Sequence, residues 1–147
     1  MSAPGGAPGI VAALQAATHH VLERLSSELA ALGLTPGEVN LLAQFEAASA
    51  LTVAELVRAT GQRPSTVTGI LDRLERRGLS ERQINPADRR SFIVGLTDSG
   101  RAAAVAVAQA FATIEQELDA ATAKRDRDGF RAVVNAIQHL HRVRIQR

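Results

Sequence analysis

The sequence has no cysteine, tryptophan or tyrosine, a single lysine and only four phenylalanines. Without cysteine the chain can form no disulfide, thiolate metal site or thiol redox switch, and it has no cysteine nucleophile. Aromatic residues are scarce, and alanine and leucine together outnumber the β-branched residues, which favours helices over sheets. A length of 147 residues suffices for one domain with a real core and makes a second independent domain unexpected.

Long apolar runs are also missing. No run reaches the length of a bilayer span, and residues 2–9 lack the charged n-region of a signal peptide. We therefore expect a cytoplasmic protein.

Basic charge is concentrated in the middle of the chain. The net charge is only +2. Residues 1–50 carry one Arg against four acids, whereas residues 51–101 carry nine Arg against six. This distribution makes the middle third the place to look for a nucleic-acid contact.

Periodicity and capping signals predict mostly helices. Residues 1–9, with three Gly and two Pro, predict a disordered tail ahead of a single domain over 10–147. Thr35 and Thr52 each begin a capping box, completed by Glu38 and Glu55. Gly78 and Leu79 are typical of a Schellman cap. The helices are predicted over 10–33, 36–48, 52–60 and 64–77.

Two short strands should follow, over 79–83 and 91–96, with Phe92, Val94 and Leu96 on one side. Between them, residues 84–90 should form the tip of a hairpin. Asn85-Pro86 favours a turn there, and Asp88, Arg89 and Arg90 place charge in an exposed loop.

A long helix capped by Thr97 and a final helix complete the chain. Both carry apolar stripes at alternating three- and four-residue spacing, at 107, 111, 114, 118 and 121 and at 130, 133, 137 and 140. Intramolecular core is one interpretation. Dimerisation is favoured, because terminal helices on both sides of a compact middle have little core of their own.

The order of these elements predicts a mainly α fold, a winged helix-turn-helix with a small β-hairpin wing and N- and C-terminal dimerisation helices. Residues 10–34 and 98–147 would dimerise, and residues 35–97 would form the DNA-binding lobe. The helix over 64–77 would enter the major groove. Its exposed face and flanks carry Ser65, Thr66, Thr68, Gly69, Asp72, Arg73 and Arg76.

Two stretches resemble the multiple-antibiotic-resistance regulator (MarR) family of dimeric winged-helix transcription factors. They are residues 64–79, PSTVTGILDRLERRGL, and residues 88–100, DRRSFIVGLTDSG. The second is the more specific, since it is similar to the family's wing signature of Asp, any residue, Arg, then a strand ending in Leu-Thr with Gly three residues later. Chain length and helix order match over residues 10–144.

The resemblance implies that Arg90 enters the minor groove, Asp88 braces it or shapes the loop, and Arg89 meets phosphate. It implies that Ser65, Thr66, Thr68 and Arg73 contact DNA. It also implies a homodimeric repressor on a pseudo-palindromic operator, with a small lipophilic or phenolic effector in many relatives. Arg63 and Gly69 depart from the family, which often has a hydroxyl cap and a larger basic residue there.

Several alternatives stay open at this stage. Residues 88–90 could be a solvated turn, Ser65 and Thr66 could satisfy first-turn amides, and Arg77 is expected at a solvated helix end. The wing could bind a protein instead of DNA. His19, His20, His139 and His141 lack metal-ligand spacing, so no metal, cofactor or enzymatic activity is expected.

Overall fold

The computed structural model describes residues 8–145, and side chains as far as Leu140. Within these residues it contains six α-helices and three strands. The predicted tail lies outside the described residues except for Pro8 and Gly9, and so does the side chain of His141. The elements are α1 Ile10–Glu28, α2 Pro36–Leu42, β1 Ala50–Thr52, α3 Val53–Thr60, α4 Pro64–Arg76, β2 Ser80–Asn85, β3 Asp88–Leu96, α5 Asp98–Ala121 and α6 Lys124–Ile145.

The three strands form one antiparallel sheet in the order β1-β3-β2. The hairpin of β2 and β3 is the predicted wing, and α3, a tight turn and α4 precede it. The mainly α winged-helix fold is therefore confirmed.

Two compact units divide the chain, residues 1–111 and residues 112–147. The first unit contains a core drawn from its helices and sheet. This core includes Leu41, Leu42, Leu56, Val67, Leu71, Leu74, Val94 and Val107, all fully enclosed. The second unit consists of the rest of α5 and α6, and none of its described side chains is buried.

Local capping sets the helix boundaries much as predicted. Both capping boxes form, at Thr35–Glu38 and at Thr52–Glu55. Gly78 has φ 67°, and the Leu79 amide donates to the Leu74 carbonyl at 2.9 Å, as in a Schellman motif. Thr97 caps α5, since its Oγ1 accepts from the Gly100 amide at 3.1 Å.

The start of α5 packs directly on the end of α4. The Thr97 hydroxyl donates to the Gly78 carbonyl at 2.6 Å, and the Thr97 amide donates to the Leu79 carbonyl at 3.2 Å. A Cβ on Gly100 would lie 1.7 Å from the Leu79 carbonyl oxygen, so only glycine fits there. The Leu-Thr-x-x-Gly half of the wing signature is thus a junction that holds the fold.

Some predicted boundaries were wrong. The first helix stops at Glu28 and continues as a 3-10 turn over Ala30–Leu32, and the second stops at Leu42 with a 3-10 turn over Ala43–Phe45. β1 was not predicted, because three residues carry no periodic signal and the strand exists only by pairing with β3.

No helix among the described residues is both long and apolar enough to cross a membrane.

Candidate nucleic-acid interface

The exposed surface of α4 is built by the helix-turn-helix. α3 ends at Gly61, whose φ of 66° reverses the chain, and Pro64 begins α4. Val67, Ile70, Leu71 and Leu74 bury one face of α4, as predicted. The opposite face is therefore fixed outward by the core.

Hydroxyl groups gather at the N-terminal end of that outward face. Ser65, Thr66 and Thr68 are exposed, and no side chain within residues 8–140 hydrogen-bonds their hydroxyls. Arg63 supplies no side-chain cap, so the first amides of α4 also lack a side-chain partner there. Such an end suits a phosphate or a base edge.

The wing tip is tighter than the sequence predicted. Its turn is Pro86-Ala87 alone, because Asn85 holds both sides of it: the Asn85 Oδ1 accepts from the Ala87 amide and its Nδ2 donates to the Ser91 Oγ, each at 3.0 Å. Residues 84, 85 and 88–90, expected in a loop, therefore belong to β2 and β3.

A register shift then pushes three residues out of the ladder. Ile84 pairs with Phe92, but Asn85 pairs with Asp88, which leaves residues 89–91 without cross-strand partners. Phe92 lies on the predicted side of β3 but is 50% exposed, since the ladder extends beyond the core that buries Val94 and Leu96. The shift presents Arg89 and Arg90 at the wing tip.

Asp88 shapes this tip through the backbone. Its Oδ1 accepts from the Arg90 amide at 3.0 Å, and its carbonyl accepts from the Ser91 hydroxyl at 3.0 Å. The side chains of Arg89 and Arg90 are exposed and form no hydrogen bond or ion pair with any described residue. Two positive charges are thus held out on a structured turn.

Arg82 ties the wing to α4, which the sequence did not indicate. Its guanidinium lies 2.7 Å from the Asp72 carboxylate and 3.1 Å from that of Glu75, and it is only 24% exposed. Asp72 was expected simply as part of the exposed face. The three-residue spacing of Asp72 and Glu75 places both carboxylates on one side of α4, which is a signal for a basic partner. The sequence could not show that β2 supplies this partner.

A second cluster holds the other end of α4. Arg77 donates to the Leu32 carbonyl at 2.6 Å, the Gly33 carbonyl at 3.2 Å and the Glu38 carboxylate at 3.1 Å. The expectation of a solvated helix end for Arg77 was therefore wrong. Arg73 also approaches Glu38, with its Nε 3.8 Å from Oε1.

One carboxylate at the start of α3 has a displaced pKa. The pKa of Glu55 is lowered, chiefly because its carboxylate accepts a hydrogen bond from the Thr52 amide and also from the Thr52 hydroxyl. The ionised form of Glu55 thus supports the N-terminus of α3.

The histidines offer no comparable site. His19 and His20 are exposed on α1, 3.2 Å and 3.6 Å from the Glu23 carboxylate. His139 is exposed on α6. Among the side chains that the structure describes, no group of three His, Cys, Asp or Glu could hold a metal ion.

Comparison with known proteins identifies the family. A family model described as the MarR family matches residues 32–91. The HTH-type transcriptional repressor MdtR of Bacillus subtilis is 33% identical over 118 residues, which are 74% of this chain and 76% of that protein. The chain belongs to the MarR family.

Solved structures of MarR-family proteins share the fold. The transcriptional repressor CouR, bound to a 23-mer DNA duplex, matches with a TM-score of 0.73 and 31% identity, over 88% of this chain and 92% of that one. MepR of S. aureus, in its DNA-binding conformation, matches with a TM-score of 0.77 and 22% identity, over 88% and 96%. The chain is thus a DNA-binding transcription regulator of the MarR family, as the resemblance implied.

Proposed function

We propose that this regulator is a sequence-specific repressor that binds a pseudo-palindromic operator as a homodimer. The observation that carries the proposal is a contrast between arginines of the DNA-binding lobe. Arg77 and Arg82 each donate a hydrogen bond to a carboxylate, whereas Arg73 only approaches one, at 3.8 Å. Arg89 and Arg90, by contrast, are exposed at the wing tip and have no partner among the described residues.

Each wing residue takes a separate part. Arg90 enters a narrow minor groove, where its charge meets the enhanced negative potential, and Arg89 meets phosphate. Asp88 keeps the turn in shape through the Arg90 amide. On α4, the hydroxyls of Ser65, Thr66 and Thr68 and the guanidinium of Arg73 contact DNA from the major groove.

Dimerisation is supported by apolar side chains that the single chain leaves exposed. On α1 these include Val21 and Leu22, and on α5 and α6 they include Phe111, Leu118, Phe130 and Leu140. Exposed apolar side chains on helices favour a partner that buries them. Residues 10–34 and 98–147 of two copies therefore form the dimer interface. A two-fold dimer would place two α4 helices about one DNA turn, roughly 34 Å, apart.

Control by a small lipophilic or phenolic effector is proposed from family membership. In the first unit, Leu22, Leu25, Leu34, Pro36 and Val39 line a shallow apolar recess with Ser26. The residues that would bind an effector are not assigned. A compound that raises the melting temperature and weakens duplex binding would support this control.

The experiment for DNA recognition begins by selecting bound duplexes from genomic fragments. Fluorescence anisotropy on the selected operator then compares Arg90→Ala with Arg125→Ala. Arg125 is an exposed arginine on α6 that, among the described residues, forms an ion pair only with its neighbour Asp126. We expect Arg90→Ala to cost about 1–3 kcal/mol, mostly at flanking A·T-rich positions, and the control to cost nothing measurable.

A failure of this experiment has a definite meaning. If Arg90→Ala binds the operator as tightly as the parent at several salt concentrations, the wing is not a DNA contact. If no duplex is selected at all, a winged-helix module that binds protein becomes the better interpretation.

The homodimer is tested by light scattering. Leu140→Glu, which charges a 70% exposed apolar side chain on α6, should weaken the dimer and lower stability with it. The matched control is Gln138→Glu, an exposed polar position on the same helix. A parent that is monomeric at micromolar concentration would contradict the proposal.

A further inference from the structure

Glu38 is the most deeply buried charged residue among those described, with 2% of its side chain exposed. Its Oε2 accepts from the Thr35 amide at 2.8 Å and from Arg77 at 3.1 Å. Its Oε1 faces the Arg73 Nε at 3.8 Å. One carboxylate therefore serves two arginines, both on or next to the C-terminal half of α4.

The two arginines are held very differently. Arg77 has three hydrogen bonds of 3.2 Å or less, two of them to the Leu32 and Gly33 carbonyls. Within the part of the chain that the structure describes, the only polar partner of the Arg73 side chain is Glu38, at 3.8 Å. This distance is longer than a hydrogen bond, and the Arg73 side chain is 44% exposed. Arg77 is fixed, whereas Arg73 can leave.

Burial of Glu38 explains why this pairing can change. A buried carboxylate that loses its only cation is strongly destabilised. Here Arg77 and the Thr35 amide remain on Glu38 when Arg73 turns away. Departure of Arg73 therefore costs only its own weak, partly solvated ion pair.

We propose that Arg73 pairs with Glu38 in the free protein, and that Arg73 leaves this carboxylate to contact DNA when the regulator binds. Glu38 then influences DNA affinity without contacting DNA. The binding free energy that Arg73 gains from DNA is reduced by the free energy needed to break its pair with Glu38. Contacts weaker than that cost are not made, which penalises poor sites. The inference rests on the DNA-binding role proposed for Arg73.

A double-mutant cycle measures this competition. Glu38→Gln keeps the capping box, in which Gln can replace Glu, but removes the charge. Arg73→Gln removes the mobile cation. In the Glu38→Gln background Arg73 has no ion pair to break before it contacts DNA, so its whole contact contributes to affinity. Arg73→Gln should therefore lose ~2- to 5-fold more operator affinity in that background than in the parent.

The matched control is Arg76→Gln. Arg76 lies on the same helix, and among residues 8–140 its Nε donates only to the Asp72 carbonyl, at 3.2 Å. Its loss should be the same in both backgrounds. An equal or smaller loss for Arg73→Gln in the Glu38→Gln background overturns the inference, since Glu38 would then be indifferent to Arg73 or would orient it for DNA.

A measurement on the parent chain covers the case in which Glu38→Gln does not fold. NMR of the arginine Nε–Hε groups, with the Arg73 signal assigned from Arg73→Lys, follows both arginines during titration with the operator duplex. The Arg73 signal should shift while that of Arg77 stays. A fixed Arg73 signal, with shifting amides in α4 and the wing, overturns the exchange but keeps DNA binding. No response to any duplex overturns both.

Discussion

Gly100→Ala is the sharpest test of how the wing signature holds the fold. A Cβ at this position would lie 1.7 Å from the Leu79 carbonyl oxygen and 2.8 Å from its carbon. Real Cβ atoms do not approach other heavy atoms this closely, and the neighbour is backbone, so the first turn of α5 must move away from Leu79. That movement breaks the two hydrogen bonds from Thr97 to Gly78 and Leu79.

The expected cost follows from these contacts. Overpacking against a fixed neighbour typically costs about 1–3 kcal/mol, and each lost hydrogen bond adds about 1 kcal/mol. We therefore expect Gly100→Ala to lower the free energy of unfolding by about 3–5 kcal/mol, measured by urea denaturation at fixed protein concentration.

Gly69→Ala is the matched control, since Gly69 is also helical and a Cβ there meets nothing within 4 Å. Alanine should stabilise α4 by about 0.5–1 kcal/mol at that site. If the free energy of unfolding of Gly100→Ala lies within about 1 kcal/mol of that of the parent, the junction is not close-packed and the reasoning fails.

Three further substitutions test other parts of the lobe. Glu55→Gln should remove a pH dependence of stability. Because the folded pKa of Glu55 is lowered, its stabilising contribution is present above the ordinary carboxyl pKa and is lost as pH falls through the lower folded value. The unfolding free energies of parent and variant, measured by denaturation, should therefore converge in acid. Arg82→Gln should speed hydrogen exchange in β2, since the pairs to Asp72 and Glu75 hold the wing on α4; unchanged exchange would show that the pairs are dispensable. Gly69→Arg should steepen the salt dependence of duplex affinity by about one unit, because the open position on α4 gains a phosphate contact; an unchanged slope would place Gly69 away from DNA.

Local signals in the sequence located the helices well. The capping boxes at Thr35 and Thr52 and the Gly78 cap depend on residues a few positions apart, so the sequence contains the whole interaction. The buried face of α4 followed from helical spacing in the same way. These features are local, and local features can be predicted.

Contacts between distant residues could not be predicted. β1 exists because Leu51 meets Val94, and the wing is anchored because Arg82 reaches Asp72. Arg77 looked like a solvated residue at a helix end, yet it bonds residues 39 to 45 positions earlier. The sequence listed the charged residues that could contact DNA, but it did not show which of them already form ion pairs or hydrogen bonds within the protein.

The register shift in the wing separates the side chains proposed to contact DNA from those that keep the lobe folded. Residues 89–91 stand outside the β2–β3 ladder, whereas the buried Val94 and Leu96 follow inside it. A slip of one residue inside the ladder would turn every later side chain to the opposite face. Substitutions of Arg89 and Arg90, whose exposed side chains have no partner among the described residues, carry no such penalty. With the DNA contacts proposed for Arg89 and Arg90, selection can therefore replace these two side chains, and so move the regulator to new operators, while the core of the lobe stays unchanged.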